Sequence, residues 1–150
     1  MIITITLNPA MDRTIRIDRP LSPMKLNRAV STMVEPGGKG INVSRAVKAL
    51  GGTSVALGFC AGSNGRMMKD ALTAADIHHD FVDVPGETRV NVQVIDAFGN
   101  HTEINEPGFK IHDGDYLRFL ERMEHYLLPE NIFVITGSVP PQFSMENYIK

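Results

Sequence analysis

The sequence predicts an α/β protein, because it contains two kinds of β-strand with helical segments between them. Continuous apolar runs are typical of strands that are buried on both faces of a parallel sheet. Alternation of polar and apolar residues is typical of strands with one exposed face. The apolar runs are Ile2–Leu7, Ser54–Phe59 and Ile132–Thr136, and the alternating segments are Thr14–Ile17, Arg28–Val34, Arg89–Asp96 and Thr102–Asn105. We therefore expect a parallel sheet flanked by helices, with the alternating segments, near residues 14–17, 28–34, 89–96 and 102–105, forming a small β-sheet lid.

The helices are predicted from apolar residues at helical spacing. The first follows the glycine turn Gly37-Gly38-Lys39-Gly40, has its first apolar residue at Ile41 and stops at Gly51-Gly52, since glycine commonly ends a helix. The second covers Gly65–Ala75 and the third covers Asp113–Leu127.

Three further local signals complete the expected order of elements. Phe81–Val84 predicts a short strand, His78-His79 before it predict a surface turn, and Phe98-Gly99-Asn100 predicts a hairpin turn. Ser144 predicts the N-cap of a last helix, within whose first turns Lys150 falls. Because a sheet of about three core strands is small for a complete domain, we expect residues 1–150 to be the N-terminal half of a longer enzyme. A naturally short chain would give the same pattern.

Composition excludes several classes of protein. The 150 residues are 43% hydrophobic and 21% charged, with a net charge of −2, which is ordinary for a globular protein and excludes a strongly basic nucleic-acid surface. The single cysteine, Cys60, excludes an internal disulfide and a multi-cysteine metal site. No apolar run approaches the roughly 20 residues of a membrane span, and the N-terminus lacks the charged region of a signal peptide. We therefore expect a cytoplasmic protein that does not bind membranes.

The glycine turn is the first candidate binding feature. Glycines let the backbone approach a ligand, and the helix start that follows offers free N–H groups to an anion. Asn42 lies in the first turn of that helix and would face the same ligand. The spacing matches neither the Walker A loop nor the dinucleotide-binding GxGxxG pattern. A purely structural turn remains the alternative.

Two further candidates follow the ends of apolar strands, where α/β sheets bind ligands. Asp12 comes shortly after the first strand, in an expected loop, and its carboxylate could accept hydrogen bonds from two sugar hydroxyls. Gly137-Ser138 directly follows the last apolar strand and could donate hydrogen bonds to a ligand. A capping Asp and a simple chain turn are the alternatives.

The last candidates lie on an alternating strand. Arg89 and Asn91 share one face of it, because side chains alternate with a period of two. The planar fork of an arginine can bind two phosphate oxygens. An edge-strand charge that keeps the strand soluble is the alternative.

Taken together, the ordered segments resemble the PfkB-type (ribokinase-like) carbohydrate kinases, in particular the branch that contains 1-phosphofructokinase and tagatose-6-phosphate kinase. The matching segments cover almost the whole chain: residues 6–12 (TLNPAMD), 36–45 (PGGKGINVSR), 50–52 (LGG), 88–91 (TRVN), 102–108 (TEINEPG) and 136–141 (TGSVPP). The most specific of them is the stretch that contains the glycine turn.

The resemblance implies phosphorylation of a phosphosugar, with ATP and Mg²⁺, by a protein whose N-terminal half binds the sugar. It implies that Asp12 binds sugar hydroxyls and that Gly37, Gly38 and Asn42 surround the ring. Substrate-binding roles are likewise implied for further residues: Arg89 on the phosphate, Arg28 and Lys39 as helpers, Asn91 beside them, and Ser138 at the strand end. The four alternating strands resemble the family's lid, which implies a homodimer formed through it.

One family feature does not occur in the sequence. The Gly-Ala-Gly-Asp segment that carries the family's catalytic base is missing, so no catalytic or metal-binding residue is predicted within residues 1–150, and the isolated chain is expected to be inactive. The resemblance favours fructose 1-phosphate as the substrate, and tagatose 6-phosphate or fructose 6-phosphate are the alternatives. Two other hypotheses are a kinase of nucleosides or unphosphorylated sugars, against which Arg28, Lys39 and Arg89 argue, and a non-catalytic module that binds sugar phosphates.

Overall fold

Residues 1–143 are described by a computed structural model, in which eight strands form two separate sheets and three helices flank the parallel one. The elements in chain order are β1 (Ile2–Thr6), β2 (Ala10–Ile17), β3 (Ala29–Gly37), α1 (Lys39–Ala49), β4 (Ser54–Ala61), α2 (Gly62–Ala74), β5 (His78–Val84), β6 (Arg89–Ile95), β7 (His101–Asn105), α3 (Asp113–Glu124) and β8 (Ile132–Ile135). The predicted helix start at Ser144 and its continuation to Lys150 lie outside the described residues.

The body sheet is parallel, with strand order β5-β4-β1-β8. Its central strand β4 is buried along its whole length. Leu57 and Phe59 lie on the face covered by α3, where the rings of Phe59 and Phe119 are 5.1 Å apart. Ala56 lies on the opposite face and belongs to a cluster with Met68 of α2. Helices therefore cover both faces, and the predicted α/β class with a parallel body is confirmed.

The lid sheet contains the four alternating segments in the order β3-β2-β6-β7. Its two central strands, β2 and β6, are parallel, while each outer strand runs antiparallel to its neighbour. In register, Asp12 of β2 lies between Glu35 of β3 and Asn91 of β6, which places these polar residues on one face. Neighbouring positions such as Val92 belong to the other face, so the sheet has one polar and one apolar side.

The position of Asp12 differs from the expectation. β2 begins at Ala10 instead of Thr14, so Asp12 is the third residue of a lid strand and not part of a loop after β1. The reason is that β1 ends at Thr6 and the chain pairs again directly after Pro9, where Ala10 lies opposite Gly37, the last residue of β3. Asp12 therefore belongs to the base of the lid.

Other element boundaries also differ. The helix starts lie at Lys39 and Gly62, earlier than predicted, because the first helical turns carry glycine and polar residues instead of apolar ones. The predicted surface turn at His78-His79 is the start of β5. β8 is an edge strand of the body sheet within residues 1–143, and two of its isoleucines are at least half exposed although its apolar sequence predicts burial. No helix in residues 1–143 is both long and apolar enough to cross a membrane.

Candidate ligand-binding site

The candidate site lies where the body sheet meets the base of the lid. The carboxyl ends of β1 and β8 reach this point, and so do the glycine turn and the first residues of β2 and β6. The glycine turn and the 137–138 turn are adjacent, since a Cβ added to Gly137 would lie 3.7 Å from the Cβ of Lys39. Parallel sheets bind ligands at this edge, where polar groups from separate strands converge.

Asp12 and Asn91 form the first polar pair of the site. The Nδ2 of Asn91 donates a hydrogen bond to Oδ1 of Asp12 over 2.9 Å, which fixes the direction of the carboxylate. Gly37 lies against that carboxylate so closely that a Cβ at this position would overlap it. The two side chains line a cavity of about 270 Å³ on the polar face of the lid. An ionised carboxylate there can accept two hydroxyl hydrogen bonds.

Arg89 forms the centre of the second polar group. Its Nη2 donates to the main-chain oxygen of Asn8 over 3.1 Å and to Oγ of Ser138 over 3.0 Å. Its Nη1 donates to the main-chain oxygen of Glu106 over 3.1 Å. These three contacts hold the guanidinium between the ends of β1, β7 and β8. The oxygen of Ser138 accepts from Arg89, so the Ser138 hydroxyl hydrogen is available to donate to a ligand.

The electrostatic setting of Arg89 favours an anion. Burial lowers the pKa of the guanidinium below its usual value, and the negative charge of Asp12 opposes that shift. An arginine stays protonated even so, and its burial makes an anionic partner more favourable. Nε of Arg89 and Oδ1 of Asn91 are both buried without a hydrogen-bond partner in the structure. Each could be satisfied by a bound polar ligand.

The glycine turn contributes backbone groups. Gly38 has a φ of 118°, a conformation that side chains rarely adopt, and a Cβ there would lie 2.7 Å from Cγ2 of Thr6. Helix α1 has no side-chain cap and no acidic residue in its first turn, so its N-terminal N–H groups face the site with a positive partial charge. Lys39 is exposed and Asn42 lies one turn into the helix, also exposed. This end of α1 suits an anion.

Arg28 is the one predicted site residue that the structure does not bring to this cluster. It precedes the first residue of β3, whereas Glu35 near the end of that strand pairs with Asp12. Seven residues of strand separate Arg28 from Glu35, a distance of about 23 Å at 3.3 Å per residue. Arg28 instead lines a larger surface cavity of about 590 Å³ formed by residues 17–30. Within one chain it is out of reach of Asp12.

The sequence analysis missed two residues of the site, Asn8 and Glu106. Asn8 is 3% exposed, and its amide nitrogen contacts the loops around residues 107 and 139. The Oε2 of Glu106 accepts from the main-chain N–H of Val90 over 2.9 Å, which joins β6 to the segment after β7. The signal for Asn8 was present, because it is a polar residue at the carboxyl end of an apolar strand, as Ser138 is. The role of Glu106 depends on a hairpin register that the sequence does not reveal.

Metal binding is not supported by the described residues. Among residues 1–143, no group of three or more His, Cys, Asp or Glu side chains is arranged to hold a metal ion. The carboxylate of Asp12 accepts a hydrogen bond from the amide of Asn91 instead of sharing an ion with a second carboxylate. These residues do not fit a Mg²⁺ site, so no chemical step is assigned to a metal here.

Comparison with known proteins gives one consistent result. The sequence model of a family described as pfkB family carbohydrate kinase matches residues 5–150. The chain is 39% identical to a 1-phosphofructokinase of Bacillus subtilis over 100% of its length and 48% of that protein. It is 35% identical to a 1-phosphofructokinase of Haloferax volcanii over 98% of its length and 47% of that protein.

A solved structure agrees with the fold. The chain is similar to phosphofructokinase-2 of Escherichia coli in complex with fructose-6-phosphate, with a TM-score of 0.92, 29% sequence identity, and coverage of 98% of this chain and 48% of that one. The predicted ribokinase-like architecture is thereby confirmed. The chain spans about half the length of each of these relatives.

Proposed function

The chain belongs to the pfkB family of carbohydrate kinases, and on that premise we propose that the protein containing it transfers a phosphoryl group from ATP to a phosphosugar. The favoured reaction converts fructose 1-phosphate to fructose 1,6-bisphosphate, as the names of the two curated relatives suggest. The observation that carries the proposal is that two hydrogen-bonded pairs, Asp12 with Asn91 and Arg89 with Ser138, lie at one edge of the sheet. A phosphosugar has the same two chemical parts, hydroxyls and an anion.

The proposed roles follow from the donors and acceptors. Asp12, oriented by Asn91, accepts hydrogen bonds from sugar hydroxyls. Arg89 and the Ser138 hydroxyl bind the phosphate already on the sugar, assisted by Lys39 at the start of α1. Gly37 and Gly38 allow the ring to approach the backbone. These residues bind and orient the acceptor, and closure of the lid would exclude water from it.

ATP and Mg²⁺ are proposed for the whole protein on the family premise. We place neither the ATP site nor the catalytic base in residues 1–143, and the chain alone is expected to bind a sugar phosphate without turning it over. The same family premise favours a cytoplasmic protein. A second candidate function is a non-catalytic module that binds sugar phosphates, for which the same contacts at Arg89, Ser138 and Asp12 would suffice.

The substrate alternatives remain tagatose 6-phosphate and fructose 6-phosphate. The complex of the Escherichia coli neighbour contains fructose-6-phosphate, which supports the latter. These sugars differ in phosphate position or hydroxyl stereochemistry. All three offer an anion to Arg89 and hydroxyls to Asp12, so the proposed roles of these two residues do not discriminate among them.

A homodimer through the lid is also proposed. The apolar face of the lid carries exposed side chains on both outer strands: Val34 is 40% exposed and Ile104 is 64% exposed. Arg13 lies between Val34 and Val92 on this face, and exposed apolar side chains around such a residue are common at interfaces. A dimer would also bring Arg28, which is out of reach of its own site, close to another chain. Sedimentation analysis of the full-length protein tests this, and a monomer at micromolar concentration would contradict it.

Ligand binding and turnover test the proposed function separately. The full-length protein and residues 1–150 alone are each titrated with the three phosphosugars, with unphosphorylated fructose as the control. We expect micromolar-range binding of a phosphosugar and not of fructose, and turnover with ATP and Mg²⁺ only for the full-length protein. Binding without turnover by the full-length protein would favour the non-catalytic module, and absence of binding would refute the proposal.

A further inference from the structure

Asn8 is a neutral, buried residue that lies among the charged and polar groups of the site. It is 3% exposed, and its side-chain nitrogen donates to two main-chain carbonyls, that of Pro107 over 3.0 Å and that of Val139 over 3.2 Å. The same nitrogen is 3.5 Å from Oγ of Ser138. One side chain therefore connects the end of β1 to the loop after β7 and to the turn after β8.

The amide orientation of Asn8 is fixed by its surroundings. Turning the amide over would place its oxygen against two carbonyl oxygens, which accept hydrogen bonds and cannot donate them. The amide oxygen instead lies beside Gly108, where a Cβ would overlap it, and it is buried without a hydrogen-bond partner in the structure. Only a side chain with two N–H donors satisfies both carbonyls, so an aspartate or an aliphatic residue of the same size cannot replace Asn8 here.

Asn8 also connects to the groups that would bind the anion. Its main-chain oxygen accepts from Nη2 of Arg89 over 3.1 Å, and that nitrogen donates as well to Ser138 over 3.0 Å. Arg89, Ser138 and the two loops are thus linked through a single residue. Loss of the Asn8 amide would release the 138–139 turn, and with it Ser138, one of the three partners that orient the guanidinium of Arg89.

We propose that Asn8 is a positioning residue that sets the directions of Arg89 and Ser138 toward the phosphate of the substrate. The proposal rests on the proposed function and adds to it a residue that acts through the anion-binding pair. Asn8 is 3% exposed and its side-chain amide donates to two carbonyls, so we assign it no direct contact with the phosphate. Its effect should therefore be large on phosphosugar affinity and small on ATP.

The test uses the longest natural polypeptide that contains this chain. Asn8→Ala, Asn8→Ser and the control Asn131→Ala are compared by calorimetric titration with fructose 1-phosphate and by the KM for ATP. Asn131 is matched because its side-chain nitrogen also donates to a main-chain oxygen, that of Tyr126 over 2.8 Å, next to the start of β8 and away from the site. Thermal unfolding of each variant measures stability independently.

We expect Asn8→Ala to weaken fructose 1-phosphate binding about tenfold or more, because the released 138–139 turn no longer holds the Ser138 hydroxyl in place for its proposed hydrogen bond to the charged phosphate. Asn8→Ser keeps one donor and should lie between Asn8→Ala and the wild type. Asn131→Ala should lower the unfolding temperature without changing either affinity. The KM for ATP should stay within about twofold of the wild type in all three.

A double variant separates positioning from general damage. If Asn8 acts through Ser138, Asn8→Ala combined with Ser138→Ala should bind little more weakly than the weaker single variant. Independent multiplication of the two losses would overturn the proposal, and so would wild-type affinity in Asn8→Ala or an equal loss of ATP affinity. If Asn8→Ala does not fold, Asn8→Ser decides by the same criteria. A wild-type protein that binds none of the three phosphosugars refutes the proposed function, and this inference with it.

Discussion

A single methyl group at Gly37 should test the geometry around Asp12. Gly37 is paired with Ala10 in the lid sheet, and its backbone is not in the left-handed region, so alanine is compatible with the main chain. The added Cβ would overlap the carboxylate of Asp12. The backbone is held by the strand pair on one side, and therefore the carboxylate has to move.

The expected cost follows from what the carboxylate loses. Rotating away breaks the 2.9 Å hydrogen bond from Asn91, a bond to a charged group that is typically worth about 1.5–3 kcal/mol. Because the carboxylate is the free end of a side chain, part of the overlap is relieved, and we expect the free energy of unfolding to fall by about 1–3 kcal/mol. Binding of the phosphosugar should weaken at least as much, since the displaced carboxylate no longer faces the sugar hydroxyls that we propose it binds. A loss of 1.5–3 kcal/mol is about 10- to 150-fold in affinity.

The control for Gly37→Ala is Gly114→Ala in the first turn of α3, where an added Cβ meets no atom within 4 Å. Alanine is a better helix former than glycine, so this variant should be as stable as the wild type or more stable by up to about 1 kcal/mol. Both variants of the full-length protein are titrated with fructose 1-phosphate and unfolded by heat. Wild-type affinity in Gly37→Ala would show that the Asp12 carboxylate does not lie where the ligand binds.

Three further outcomes are expected. Arg89→Ala should raise the KM for the phosphosugar far more than the KM for ATP in steady-state assays of the full-length protein, because the guanidinium is lost from the anion site; equal changes in both constants would contradict that role. Burial, with the hydrogen bond to Asp83, raises the pKa of the Cys60 thiol to about 12. A thiol reagent such as DTNB should therefore react with Cys60 at pH 8 only after unfolding. Fast stoichiometric labelling of the folded protein would show instead that the thiol is accessible. Burial by itself would raise the pKa of Asp115, but hydrogen bonds from the His112 N–H and from Arg118 lower the pKa overall. The stability that this carboxylate contributes is therefore complete at neutral pH and lost as the pH falls below about 4. Asp115→Asn should make the unfolding temperature depend less steeply on pH in acid, and an unchanged dependence would contradict this role of Asp115.

The strand types could be predicted from the sequence because each reflects a local pattern. The apolar runs became body strands and the alternating runs became lid strands, as at Arg89–Ile95. Arg89 and Asn91 do share a face, since a period of two requires it. Patterns of this kind depend only on residues that are close in sequence, so the sequence alone contains the information needed to predict these strands.

The rest depends on which strands become neighbours, which local patterns do not contain. Asp12 lies inside β2 because Ala10 pairs with Gly37, a partner 27 positions along the chain. The burial expected for Ile132 and Ile135 fails because β8 has a neighbour on one side only within residues 1–143. Arg28 is charged and near a glycine turn in sequence, yet the length of β3 carries it about 23 Å away. The role of Asn8 cannot be assigned from the sequence because its side-chain partners, Pro107 and Val139, lie 99 and 131 positions further along the chain.

The parallel pairing of β2 with β6 sets a constraint on how the molecule comes to be folded. The partners Ala10 and Arg89 are separated by most of the described chain, and the contact between Asp12 and Asn91 closes a loop of 79 residues. Closing so long a loop costs entropy that short-range hairpins do not incur, and contacts of this kind form slowly. The β2–β3 hairpin can form early during synthesis, but Asp12 can bond to Asn91 only after β6 has left the ribosome. The contact between Asp12 and Asn91, which we propose holds the sugar, therefore forms only after β6 has been synthesised and later than the β2–β3 hairpin.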